Sequence, residues 1–237
     1  MKSLVSPPST LVQPWTVAGM LAFLPHLIAV VLATVQRPEF SNRIQYLSEL
    51  GERGSSTAIV ANYLGILPTG VLLACFGVGV FLRFRADRLM AAAGALIVLH
   101  GVLRVVAAIF PCDPGCRPIF PTTSQTVHNM AATVAFVSLT TSLFLAGSWL
   151  RARRHETWIV AATFSLGALA VAAQGMLVAA PTGSPGLYQR LALGALQLWV
   201  ALLAFHLSRR TTVLYLASGE VVDRRGRPAA QRGAREA

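Results

Sequence analysis

Six apolar stretches alternate with short polar connections along this chain, each about as long as a helix needs to cross a hydrocarbon core. They run from Pro14 to Val35, Ala58 to Leu82, Leu89 to Phe110, Gln125 to Leu150, Thr157 to Ala180 and Leu187 to Leu207. Inside lipid a backbone that pairs its own polar groups is helical or closes into a barrel, and runs of this length are helical. The pattern predicts an all-α polytopic membrane protein, with about six transmembrane helices in one bundle over residues 1–210. A basic tail at 211–237 turns polar after Ser218 and is expected to be disordered. The first run lacks a small-residue cleavage site, so it is expected to stay in the protein as a helix.

Composition changes that picture little. Only 12% of residues are charged and 54% are hydrophobic, against about 25% charged in a soluble domain. The net charge of +11 raises the question of nucleic acid. The basic residues fall in short clusters between the apolar runs, not along one face, so no nucleic-acid partner is expected. One lysine among many Arg, Ala and Gly points to a bacterial source with GC-rich genes.

The clusters do orient the chain. Lys2, Arg83, Arg85, Arg88, Arg151, Arg153, Arg154, Arg209 and Arg210 fall on one side. Arg37, Arg43, Arg53, Arg117 and Arg190 fall on the other, beside Glu39, Glu49, Glu52 and Asp113. Basic residues favour the inner side, so both termini are expected in the cytoplasm of a bacterial plasma membrane. Trp149 and Trp158 bracket one Arg-rich link at headgroup depth.

Two outer loops hold most of the polar chemistry. In the first, Ile44, Leu47 and Leu50 recur at helical spacing, predicting a short interfacial helix that ends at Gly51. Glu49 would then sit at that helix's negative end and want a cationic neighbour. The second, Phe110-Pro111-Cys112-Asp113-Pro114-Gly115-Cys116-Arg117-Pro118, is a proline-stiffened turn. On the outer side a Cys112–Cys116 disulfide is expected, with free thiols or metal ligands as the alternative. Thr122 and Gln125 have capping-box spacing, and the helix start they mark has outward-facing donors suited to an anion. Cys75, inside the second run, reads as a small buried hydrophobe.

Arg104 is the one basic residue well inside a span, and an intramembrane arginine usually finds a partner. Glu49 and Asp113 are the expected partners, with snorkelling to the surface as the alternative. His26 and His100 lie at similar mid-membrane depth, His128 one turn into the fourth helix and His206 near the inner end of the sixth. No spacing on one helix suggests a metal site, and neither metal nor cofactor is expected. Asn62, Gln174 and Gln197 read as polar contacts between helices, and Gly65 and Pro68 as a close approach and a kink.

Taken together, Ser48-Glu49-Leu50-Gly51, Asn62 with Gly65, Phe110-Pro111-Cys112-Asp113 and then His128 resemble the domain-of-unknown-function 998 family. The resemblance runs from about Pro14 to Leu207 and implies a multi-span prokaryotic membrane protein. It implies that Glu49, Asp113 and His128 occupy the family's polar positions, and supplies no activity. The Cys pair around Asp113 and the basic tail fall outside it.

Function is thus read as an uncharacterised membrane protein with an outer polar cluster, most simply non-enzymatic and binding a lipid or a partner. One alternative is a membrane-embedded hydrolase or transferase on a lipid-linked substrate, with Ser48, Glu49, Asp113 and His128 as catalytic candidates. Another is a small transporter. Arg104, Asn62 and His100 are the binding candidates. Membrane lipid is the expected partner.

Overall fold

The computed structural model describes residues 13–179 and 183–218, with side chains through Arg209. Lys2 and the tail beyond Ser218 lie outside the described residues. Six helices carry the fold: α1 Pro14–Gln36, α2 Val60–Arg83, α3 Arg88–Ile109, α4 Thr123–Ala152, α5 Thr157–Ala179 and α6 Pro185–Ser218. All six are long and apolar enough to cross a membrane, and no strand occurs among the described residues. Each packs on its neighbours in sequence, and α6 returns to α1, so the bundle closes into a ring.

The interior is not uniform along the bundle. The half nearer the Arg-rich links is packed solid by Phe76, Val80, Met90, Ile97, Leu143, Leu150, Trp199 and Leu203, all fully buried. The other half, beneath the long loops, has room. Glycines bring α2 and α3 together tightly enough to hold both halves in register. A Cβ on Gly101 would fall 2.5 Å from both the Ala74 nitrogen and the Gly70 oxygen. One on Gly77 would meet the Val98 nitrogen at 2.6 Å. Backbone touches backbone here, which small residues permit and larger ones do not.

At the Arg-rich end, Asp87 caps α3 by accepting bonds from the Leu89 and Met90 N–H groups at 3.1 and 3.3 Å. The same carboxylate accepts from the Trp149 indole at 2.9 Å and Arg153 at 3.1 Å, tying α3 to the end of α4. Partial desolvation opposes it, yet bonds from the Met90 N–H, Trp149 and Arg153 hold this carboxyl below its ordinary value.

Three local details depart from expectation. Leu47–Gly51 is a single 3₁₀ turn in place of an interfacial α-helix. The cause is Glu49, whose carboxylate turns back to accept from the Tyr46 N–H at 2.8 Å and closes the segment locally. Gly51 does not take the left-handed conformation; it is small because Asn62 lies against it. Cys75 is exposed on the outward face of α2, not buried. Near Gly65 and Pro68, where a close approach and a kink were expected, a π-helical stretch runs over Val60–Ile66 and ends before the proline. Gly65 there meets α1 at Ala29.

Candidate functional site: a polar chamber under a stitched cap

The loops at the wide end form a cap whose polar groups are mostly used on one another. Arg37 donates to the Glu49 carbonyl at 2.9 Å and pairs with Glu52 at 3.4 Å. Asn62 donates from α2 to the Gly51 carbonyl at 2.7 Å, so its partner is the loop, not another helix. Arg190 on α6 donates to the Gln45 carbonyl and to Asn42, both at 2.9 Å, and Gln189 accepts from the Leu47 N–H at 2.7 Å. The second loop joins through the Arg53 N–H, which donates to the Cys112 carbonyl at 2.8 Å. Cys112 and Cys116 form the expected disulfide.

Asp113 and Glu49, expected near Arg104, are both engaged in this cap. Asp113 pairs with Arg53 at 2.9 Å and accepts from the Thr122 N–H and hydroxyl at 2.9 and 2.8 Å. The anion that the start of α4 was expected to attract is therefore Asp113 itself. Half of the capping box forms, with Thr122 accepting from the Gln125 N–H at 3.3 Å. The other half is replaced, since Gln125 turns to accept from the Asp113 N–H at 2.7 Å. Glu49 accepts from Gln45 at 2.9 Å and has no ion pair among the described residues. Desolvation pushes its carboxyl up, with the Gln45 bond working against the rise.

The Asp113 carboxyl is held below its ordinary value of 3.8, first by the Thr122 N–H and, against some desolvation, by the Thr122 hydroxyl and Arg53. A depressed carboxyl adds stability at pH above its unfolded value, and that stability drains away as the pH falls through the folded one. Asp113→Asn is expected to lower the melting temperature at pH 7 and to flatten its fall below about pH 4. Melting curves of both proteins across pH check this; parallel curves would count against the assignment.

Beneath the cap lies a cavity of about 390 Å³ that receives side chains from all six helices. Ser48 and Leu47 form its roof, and His26, His100, Arg104, His128, Gln174 and Gln189 reach it from the walls. Arg104 is 7% exposed. It donates to His26 Nδ1 at 3.4 Å, and among the described residues no carboxylate lies within ion-pair reach of it. The sequence expectation of a Glu49 or Asp113 partner therefore fails, because both are drawn into the cap above.

The histidine tautomers follow from their partners. His100 Nδ1–H donates to the Ala135 carbonyl at 2.7 Å, and His128 Nδ1–H to the Phe110 and Ala107 carbonyls at 2.9 and 3.1 Å. Each keeps an unprotonated Nε2. His26 is the reverse: Nδ1 accepts from Arg104, so Nε2 carries the proton. That Nε2–H is buried without a partner, as are the Nε–H of Arg104 and the amide nitrogen of Gln197. All three orphans are donors. Each costs about 1–3 kcal/mol when left unmet, so an acceptor placed beside any of them is stabilised.

Of the sequence candidates, then, Ser48, His100, Arg104 and His128 share the chamber, while Glu49, Asp113 and Asn62 serve the cap. His26 was legible only as a partner in depth of His100, and nothing in the sequence singled out Gln189. A second cluster lies at the opposite end, where His155, Glu156 and His206 place donor atoms within 4.8 Å of one another. His155 Nδ1 lies 2.8 Å from His206 Nε2, and Glu156 lies 3.5 Å from His206 Nδ1. The two partners thus address opposite nitrogens of one ring, the geometry of a hydrogen-bond chain and not of a chelate. Trp149 and Trp158 pack on it.

No curated protein and no solved structure matches the chain. One family model does, over residues 17–206, described as a protein of unknown function (DUF998). That match reaches all six helices and covers both loops of the cap, and the chain belongs to the DUF998 family.

Proposed function

We propose that the protein is a non-enzymatic lipid-binding protein of a bacterial plasma membrane, holding an anionic headgroup in the chamber at Arg104. Its termini are cytoplasmic and its cap faces outward, a reading supported by the excess of arginine at the end opposite the cap. One observation carries the binding site: a buried arginine without a carboxylate among the described residues, with its own Nε–H and the Nε2–H of its partner His26 both unmet. Arginine suits phosphate and carboxylate alike, and such a group would offer an acceptor to the donors of Arg104 and His26.

The test is lipid retention. Purified, delipidated protein is exposed to vesicles of phosphatidylglycerol or of phosphatidylcholine, and the retained lipid is weighed by native mass spectrometry. Wild type is expected to hold the anionic lipid in preference. Arg104→Gln is expected to lose it by roughly tenfold or more, about 1.4 kcal/mol. Equal retention of both lipids, or by both proteins, would overturn the reading.

A hydrolase reading has one observation in its favour: Ser48 lines the same chamber as His100 and His128, whose Nε2 atoms are free of protons. Release of a cleaved product from the retained lipid by wild type, and not by Ser48→Ala, would favour it.

A further inference from the structure

The chamber is covered on its axis by Leu47, Ser48 and the stitched cap, so a ligand needs another way in. The ring of helices parts on the loop side between α1 and α6. Near the Arg-rich end α1 packs closely on α6, with Gly19 against Ala204. Past the turn at Ala22 and Pro25, which has no N–H to bond the preceding turn, the two helices part. The gap between their loop-side halves is a second cavity of about 350 Å³, adjoining the chamber, with His26, Leu47 and Leu193 lining both. Its walls are apolar apart from His26, Gln197 and Arg190, whose guanidinium is bonded to Gln45, Gly186 and Asn42, and Leu27 and Leu198 at its margin are each 51% exposed on the membrane-facing surface. A Cβ on Gly194 would meet nothing within 4 Å, so the seam is empty space at that point. Gln197 and His26, two of the orphaned donors, lie along it.

Resting on the anion-binding reading above, we propose that the ligand is a membrane amphiphile admitted sideways from the bilayer between α1 and α6. Its anionic group passes along Gln197 and His26 to Arg104, and its hydrocarbon chain stays in the seam. An apolar slot facing lipid and a donor-lined chamber behind it match the two ends of such a molecule. A soluble anion would match only the second.

Two probes separate these cases, dodecyl phosphate and inorganic phosphate, measured against the full-length protein in phosphatidylcholine nanodiscs. Wild type is expected to bind dodecyl phosphate at least tenfold more tightly than inorganic phosphate. Gly194→Trp, which fills the seam, is expected to lose that advantage at least tenfold while holding inorganic phosphate as wild type does. Arg104→Gln loses both probes. Unchanged dodecyl phosphate binding by Gly194→Trp, or equal binding of the two probes by wild type, overturns the lateral route and leaves the chamber reading standing. Failure of wild type to bind either probe, or full binding by Arg104→Gln, overturns the chamber reading instead. A diazirine-bearing alkyl phosphate gives an answer that needs no variant: its label is expected on residues 23–30 and 193–201. Labelling confined to the outer faces of other helices overturns the route.

Discussion

Arg104→Leu is expected to raise the melting temperature of the delipidated protein while abolishing retention of anionic lipid. The usual buried charge behaves in the opposite way, because removing one partner of a pair strands the other. Here the guanidinium has only His26 Nδ1 at 3.4 Å, and its Nε–H meets nothing. Leucine removes an under-satisfied cation from a membrane interior and leaves a neutral imidazole behind. The gain is on the order of 2 kcal/mol, since replacing buried ionic groups by apolar ones of similar size often stabilises by that much. Thermal unfolding followed by tryptophan fluorescence in detergent checks it. Melting below wild type would mean that Arg104 braces the empty fold, and the ligand-binding reading would lose its main support.

Gly101→Val is expected to do the most damage of any single change. The new Cβ would sit 2.5 Å from the Ala74 nitrogen and 2.5 Å from the Gly70 oxygen, and neither is the tip of a side chain that can swing aside. The helices must separate instead. Overpacking commonly costs 1–3 kcal/mol, and with backbone as the obstacle about 3 kcal/mol or more is expected. His100 and Arg104 ride on the same stretch of α3, so binding is lost along with stability. Gly175→Val is the control, because a Cβ there meets nothing within 4 Å. The variant is expected to leave the folded size-exclusion peak where Gly175→Val keeps it; matching elution and melting of the two would contradict the close approach.

The six spans were legible because crossing a bilayer imposes length and apolarity on contiguous sequence, and Thr123–Ala152 differs from its predicted bounds by only a turn or so. Which polar groups meet was not legible, because that depends on the rotation of each helix against its neighbours. Arg104 illustrates the difference. Its depth could be read from its position in the third run, but its partner could not, since Asp113 is taken by Arg53 and Thr122 from elsewhere in the cap. Glu49 illustrates another limit: a carboxylate three residues past an N–H closed a 3₁₀ turn where the apolar spacing suggested a helix. Cys75 was misplaced for a related reason, as in a lipid-facing helix an apolar residue is equally at home outside and inside.

One latch between cap and bundle is Asn62, held to the Gly51 carbonyl from within the π-helical stretch Val60–Ile66. A π turn stores one residue more than an α turn, and shedding it turns everything on one side by about 100° about the helix axis. Rewinding that stretch would therefore carry Asn62 off Gly51 in the same motion. Winding and this bond are one coordinate, while Arg190 and Gln189 hold the cap to α6 independently of it.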